Sequence, residues 1–190
     1  AGRMVTAPSW AGARSLCAMK HVGLSYAGDP LATIPYIGTA AGMVIVSAGD
    51  PSCRTSSNEH DQRYFGPMLH LPVLDPSTPQ EALAMTRVAF EVSEASRLPI
   101  LLRPTTRVCH LRSVVRFGRL RTPEVKGFSR EPQRFVPIPS NARRLRTEID
   151  RRLQIAGECL ESTGFVRARG QARTAIIATG APSATTADFL

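Results

Sequence analysis

Residues 49–65 read GDPSCRTSSNEHDQRYF, from Gly49 to Phe65. The stretch carries Asp50, Arg54, Ser56, Ser57, Asn58, Glu59, His60, Asp61, Gln62 and Arg63 and almost nothing apolar to bury, so it reads as a long polar loop. Loops of this length inside a compact domain usually carry function. A short β-branched run, Met43 to Val46, precedes it and suits a buried parallel strand. LHLPVLDPS, from Leu69 to Ser77, follows as a second strand, then a helix opened by Thr78-Pro79, then LPILLRPTTRVCH, from Leu98 to His110, as a third. Strand, loop, strand, helix, strand with short joints is α/β, with a right-handed βαβ unit at its end.

The helix is predicted from Pro79 to about Arg97. Thr78 is placed as its N-cap, Pro79 at the first helical position and Glu81 as the capping-box partner. Ala82, Met85, Val88, Ala89, Val92 and Ala95 share one face at helical spacing, and Leu83 and Phe90 form a second apolar ridge. Two ridges predict cover on two sides, by the sheet and by another domain or subunit.

Upstream, Ser15 to Met19 is predicted to be a buried strand and KHVG, Lys20 to Gly23, a turn-like break. A helix is expected around Ala27 to Ile37, with Pro35 kinking it or ending it early. Downstream, Val114 to Phe117 is a candidate strand, and residues 119–139, with Pro123, Pro132, Pro137 and Pro139, read as an extended linker. Ser140 is expected to cap a helix from Asn141 to about Glu161. Its apolar stripe is Leu145, Ile149, Leu153, Ala156 and Leu160, with Arg143, Arg144, Arg146, Arg151 and Arg152 facing elsewhere, and Gly164 closes it. Thr174 to Thr179 is β-branched and ends at Gly180, a strand that opens a new α/β unit. The start has neither an initiator Met nor a signal pattern and the end stops inside that unit, so the sequence reads as a piece of a longer chain.

No apolar run approaches the roughly 18 residues that span a membrane. The net charge of +9 is uneven: residues 1–102 hold 7 basic and 8 acidic side chains, and residues 103–173 hold 17 and 6. A basic half invites nucleic acid, but a solvated linker and helix surface, or a face toward an acidic partner, is the preferred reading. Cys17, Cys53, Cys109 and Cys159 form no CxxC or Cys/His pattern. They exclude a zinc or iron–sulfur motif within the chain and point to free thiols in a reducing cytoplasm.

Neither GxGxxG nor GxxxxGK[ST] occurs, so the two commonest phosphate cradles are absent. Gly28-Asp29-Pro30 and Gly49-Asp50-Pro51 are treated as turns. Ends of parallel strands line ligand crevices, which makes Thr105, Thr106, Arg107 and His110 candidates beside Lys20 and His21. The competing reading has Arg107 pairing locally and His110 purely structural, with His60 solvated in the loop.

The blocks AGARSLCAMKHVGL, DPLATIPYIG, GMVIVSAGDPS, SSNEHDQRYF, LPVLDPSTPQEA and LPILLRPTTRVCH, in that order, resemble the alpha subunit of indolepyruvate ferredoxin oxidoreductase. FSREPQRFVPIPSNARRLR extends the resemblance, which covers Ala11 to about Gly180. It implies a thiamin diphosphate-dependent 2-oxoacid oxidoreductase of the pyruvate:ferredoxin type, oxidising aryl pyruvates such as indolepyruvate to acyl-CoA. Residues 1–118 would be the pyrimidine-binding domain, a parallel sheet flanked by helices and truncated at its N-terminus. Residues 119–139 would be a linker, 140–164 a connecting helix, and 165–190 the start of a transketolase C-terminal-like domain with its first strand. Implied cofactors are thiamin diphosphate and Mg²⁺, with iron–sulfur clusters elsewhere in the complex. Implied partners are a beta subunit, a second alpha subunit, ferredoxin and CoA, with neither membrane nor nucleic acid.

The family's catalytic Glu lies upstream of a stretch that here begins at about Ala7, so this chain is not expected to carry it. Pyruvate-specific relatives place a carboxylate-binding Arg where Gly49 stands. By position, Met19, Lys20, His21 and Val22 match the turn facing the thiamin ring, and Asp50, Ser56, Ser57, Asn58 and Glu59 match the loop near the cofactor and subunit interface. The opening AGRMVTAPSW departs from the family's wording, so no order is expected of Arg3 to Pro8. The expected role is part of that enzyme, inactive alone; the alternative is a non-catalytic interaction module that retains the fold.

Overall fold

The run Met43–Ala48 is strand β2 of the sheet, in a computed structural model that describes residues 2–119, 122–168, 170, 171, 173 and 175–189. Strand β1, Ser15–Lys20, lies along one side of β2 with Ser15 opposite Met43. Strand β4, Ile100–Leu102, lies along the other, with Val44 opposite Ile100, and strand β3, Val73–Leu74, pairs with β4 at the far edge. Among the described residues this is one four-stranded sheet in the order β1-β2-β4-β3, parallel throughout. The α/β expectation is therefore met.

Period-two alternation with both faces covered explains why β2 is apolar from Met43 to Val46. Met43 and Ile45 meet Leu24, Leu31 and Ile34 from helices α2 (His21–Tyr26) and α3 (Gly28–Ile37) on one face. Helix α4, Phe65–Leu69, adds Leu69 to this face. Val44, with Ile100 and Leu102 of β4, meets Met85, Ala89 and Val92 from helix α5 (Pro79–Ser96) on the other. Each fully buried Leu or Ile contributes about 1.5–3 kcal/mol, so both layers are held by the sheet between them.

Helix α5 starts as expected, with one shift. The Thr78 hydroxyl accepts from the Glu81 amide at 3.1 Å, but the Glu81 carboxylate accepts from the Ser77 amide at 2.6 Å rather than from Thr78. Ala95 is exposed, while Ser93 and Ser96 are buried. The Ser93 hydroxyl accepts from the Met43 amide and that of Ser96 donates to the Val92 carbonyl, so polar positions enter the core by satisfying backbone groups. The second side of α5 is covered by this same chain. Helix α8, Pro139–Glu161, brings Ala156, Cys159 and Leu160 against the α5 cluster, which Phe90 joins.

Other expectations need correction. Lys20–Gly23 is no turn: α2 begins at His21. Leu69 to Ser77 yields only the two strand residues of β3, because Phe65–Leu69 coils into α4 and His70 breaks it in the left-handed region at φ 55°. Thr106–His110 is a short helix, α6, not the end of a strand. Val114 to Phe117 forms no strand and leaves Val114 and Phe117 in solvent. Within the linker Pro132–Phe135 makes one helical turn, α7. Ser140 does not cap α8, which starts two residues earlier than expected, at Pro139 with Ile138 at the N-cap. Residues 175–179 form no strand, since no described strand lies beside them, and Thr174 falls outside the described residues. Helix α9, Ala181–Phe189, follows Gly180. The N-terminal stretch, expected to lack order, is helix α1, Gly2–Trp10. The Ser9 hydroxyl donates to the Ala41 carbonyl at 2.6 Å and the Trp10 indole to the Gly38 carbonyl at 3.1 Å.

Pro35 does not end α3, which runs two residues further to Ile37. Its last carbonyls are taken by two downstream arginines. Arg152 of α8 donates to Pro35 at 2.6 Å and Tyr36 at 3.1 Å, and Arg134 of α7 donates to Ile37 and Thr39, each at 2.8 Å. Cations at a helix C-terminus satisfy orphan carbonyls and oppose the negative end of the dipole. Arg152, expected to face solvent, is thus buried. Arg146 and Arg151 pair with Asp150 and Glu148 along α8 itself.

Candidate functional site

A cleft of about 860 Å³ opens at the C-terminal ends of β2, β3 and β4. Its walls are the 49–65 loop, the Thr105–His110 segment, Asp75 and Arg103 at strand ends, and the first turns of α9. A residue that leaves a parallel strand at its C-terminal end is delivered to such a crevice by the topology alone.

The loop is built around Asp50, which is 3% exposed. Its Oδ2 accepts from the Thr55 amide at 2.7 Å, the Ser56 hydroxyl at 2.8 Å and the Thr55 hydroxyl at 3.1 Å. The Thr106 hydroxyl lies 2.9 Å from Oδ1 and 3.0 Å from the Gly49 carbonyl, so its single proton is shared between them. Lys20 Nζ stands 3.8 Å from Oδ2 and donates to the Thr55 carbonyl. The Thr55 amide, then the hydroxyls, hold the Asp50 carboxyl far below the usual carboxylate range. Because its folded-state pKa is depressed, its anchoring is complete above about pH 4. It is lost only as the pH falls through the folded value, well under 4. Asp50→Ala should speed hydrogen exchange of the Thr55 amide by about tenfold or more, while Asp50→Asn, with one acceptor oxygen left, should speed it less. Unchanged exchange in Asp50→Ala would remove Asp50 as the anchor.

Two further clasps hold the loop. His21 is fully buried, and its Nε2 lies 3.1 Å from the Asn58 carbonyl and 3.2 Å from the Asn58 side-chain oxygen. Two acceptors there place the proton on Nε2. The Nδ1 atom is buried and has no partner among the described residues. The His60 ring stands edge-on to His21 at 4.9 Å, and its Nδ1 lies 3.1 Å from the Ser25 hydroxyl.

Beneath the loop, Gln62 is fully buried; its amide donates to the Ser47 carbonyl and hydroxyl and its Oε1 accepts from Arg103 Nε at 3.3 Å. Arg103 continues to Asp75 Oδ2 at 2.7 Å, in a pair whose side chains are 10% and 11% exposed. Burial raises the Asp75 pKa, and Arg103 offsets this in part. At the cleft's edge Arg63 donates to Asp61 at 2.6 Å, and that bond is the chief reason the Asp61 pKa drops to about 2. A Cβ at Gly49 would lie 2.5 Å from Gln62 Oε1, so a side chain there requires the buried Gln62 amide to shift.

Of the residues singled out in the sequence, Asp50, Glu59, His60, Thr105, Thr106, Arg107 and His110 line this cleft. Lys20, His21, Ser56 and Asn58 stand behind it as the loop's supports. Met19 packs against the core, Val22 is half-buried at the start of α2, and Ser57 is exposed. Asp75 and Arg103 went unrecognised in the sequence. Their signal was the strand-end position itself, one residue past Leu74 and one past Leu102.

Among the described residues no three His, Cys, Asp or Glu side chains converge as a metal-ligand set, and no helix is long and apolar enough to cross a membrane. Cys17, Cys53, Cys109 and Cys159 are free thiols.

No family model matches the chain. It is 48% identical over 147 residues to indolepyruvate oxidoreductase subunit IorA of Methanothermobacter marburgensis, a match covering 77% of this chain and 24% of that protein. Against the subunit IorA of Thermococcus kodakarensis it is 38% identical over 183 residues, covering 92% of this chain and 28% of the relative. Against that of Archaeoglobus fulgidus it is 41% identical over 140 residues, covering 73% and 22%. The chain thus spans about a quarter of the length of the curated relatives it matches. Over that stretch it belongs to the family of indolepyruvate oxidoreductase subunits named IorA.

Proposed function

We propose that this chain forms one wall of the cofactor cleft in a thiamin diphosphate-dependent enzyme that oxidatively decarboxylates aryl pyruvates such as indolepyruvate. The observation that supports this best is the cleft itself. The loop and strand-end residues that carry the family likeness are the ones that border it, at the place where an α/β sheet binds ligands. Bound thiamin diphosphate would supply a nucleophilic carbon and a sink for the electrons released with carbon dioxide. The residues present fit an anionic, partly polar ligand: Thr105 brings a buried hydroxyl without a partner, and Arg54 and Arg107 bring guanidiniums. They do not converge on a metal, so Mg²⁺, the iron–sulfur clusters and the family's catalytic Glu are contributed by other parts of the complex. A beta subunit, a second alpha subunit, CoA and ferredoxin complete it, with acyl-CoA as product. The isolated chain is expected to be inactive.

A chimera tests this. The matched stretch of the Methanothermobacter marburgensis subunit is replaced by that of the present chain, and oxidation of indole-3-pyruvate is measured with thiamin diphosphate, CoA and a dye as electron acceptor. Retained, thiamin diphosphate-dependent turnover is expected. A chimera that assembles yet gives no turnover overturns the proposal and favours the second reading, a non-catalytic interaction module. That reading draws on the apolar side chains of Val114, Phe117, Val125 and Phe128, which stand in solvent along the extended segment.

A further inference from the structure

A second concavity, of about 430 Å³, lies at the opposite end of the strands, where Gly12, Thr39 and Arg97 lead into β1, β2 and β4. The extended segment walls it with Lys126 and Phe128, and α7 adds Arg134 and Phe135. The Lys126 amide donates to the Gly12 carbonyl at 3.3 Å, which docks that segment on the sheet's edge. Three cations, Arg97, Lys126 and Arg134, line the concavity, and among the described residues no carboxylate does. Arg134 has Glu131 at 3.4 Å; Lys126 is felt by Glu94, but Arg14 holds that carboxylate through two bonds at 2.7 and 2.8 Å. Burial, then the neighbouring cations, push the Arg134 and Arg152 guanidiniums below the usual arginine range, against the pull of Glu131 and Glu148. With Arg14 and Arg152 behind the wall, five cations face three carboxylates, Glu94, Glu131 and Glu148, and two positive charges stay uncompensated.

Arg97 gives a separate indication. It is the C-cap of α5 at φ 57°, in the left-handed region where glycine is at ease and a side chain is strained. Its guanidinium is exposed and has no hydrogen-bond or ion-pair partner among the described residues. Glycine would end α5 equally well, so the fold does not call for arginine there, and strain of this kind gathers at binding sites. Beside the cations are two rings 5.3 Å apart. Phe135 is occupied by the Trp10 edge and by Arg134 over its face, whereas Phe128 is exposed. We propose that this concavity binds a phosphate dianion joined to a planar ring, the chemistry of a nucleotide, with the phosphate on Arg97, Lys126 and Arg134 and the ring on Phe128. Two surplus charges match a phosphate rather than a single carboxylate, and guanidinium forks fit its paired oxygens. A concavity of this volume suits a small molecule better than the convex face of an acidic protein. The site is separate from the cleft and does not depend on the functional reading given for it.

Calorimetric titration of the whole chain at low ionic strength provides the test, with AMP, inorganic phosphate and adenosine as probes. AMP is expected to bind and to weaken as salt is raised, phosphate to bind about tenfold less tightly, and adenosine not to bind at millimolar concentration. Arg97→Gly and Lys126→Gln should each weaken AMP about tenfold, and Phe128→Ala should weaken AMP while leaving phosphate unchanged. Arg97→Gly should melt no lower than the parent, because glycine suits φ 57°, so its loss of binding would not be a loss of folding. Arg107→Gln, in the other cleft, should leave AMP binding as it is. Absence of AMP binding at millimolar concentration, or binding that Arg97→Gly and Lys126→Gln leave intact, overturns the site. Weakening by Arg107→Gln instead would move the ligand to the cleft and overturn it too. Phosphate bound as tightly as AMP would overturn the nucleotide class.

Discussion

Arg103→Ala is expected to destabilise the protein by about 3–5 kcal/mol at neutral pH, the usual result of stripping one partner from a buried ion pair. The variant would leave Asp75 carrying an uncompensated charge at the end of β3 and would free the Gln62 side-chain oxygen. Burial already raises the Asp75 pKa while its cation is present, so losing Arg103 should raise it further. A carboxyl whose folded-state pKa stands above its unfolded value favours the fold when protonated, and that contribution is lost as the pH rises through the folded value. The deficit of Arg103→Ala should therefore be smallest near pH 4 and widen toward pH 7. Urea denaturation at both pH values measures it. Arg103→Met combined with Asp75→Leu removes both charges and should recover most of the loss. A pH-independent deficit, or one the second change fails to relieve, would mean that Arg103 acts through packing alone.

Arg152→Ala should have the next largest effect, about 3 kcal/mol. Two carbonyls at the end of α3, those of Pro35 and Tyr36, would lose the cation that donates to them. Hydrogen bonds to charged groups contribute roughly 1.5–3 kcal/mol each, and α8 would keep its apolar contacts through Leu145, Ile149 and Ala156. For a chain of this size the loss corresponds to a melting point lower by about 6–12 °C. Arg152→Lys, which keeps the charge but not the fork, should lie between the two. A melting point within about 2 °C of the parent for Arg152→Ala would remove its capping role.

These side chains mark how far the sequence could be read. The parallel strands, the capped helix α5 and the polar loop were legible because each is dictated locally, by β-branched runs, by Thr78-Pro79 with Glu81, and by ten polar residues with nothing to bury. Candidates at strand ends were legible for the same reason, and Thr105, Thr106, Arg107 and His110 do border the cleft. What escaped depends on partners distant in sequence. Arg152 looks solvent-facing on a helical wheel, and only the end of α3, 117 positions away, gives it a place inside. His21 looks like a strand-end ligand, yet its ring points to Asn58 and fastens the loop. The strands expected at 114–117 and at the far end had the right side chains but no neighbour to pair with, and a strand is stabilised by its neighbour. The second apolar ridge of α5 was read as facing another domain or subunit, whereas its Phe90 joins a cluster with α8 of this same chain.

The two guanidiniums that close α3 have a mechanical meaning as well. The proline-rich stretch looks like the place where the polypeptide would bend, but the helix that follows it is fastened back to the sheet layer through Arg152 and through Ala156 against α5. Helix α8 therefore moves with the sheet as one block. Phe165 packs against the same cluster, so any hinge between that block and what lies further along the polypeptide has to fall beyond Phe165.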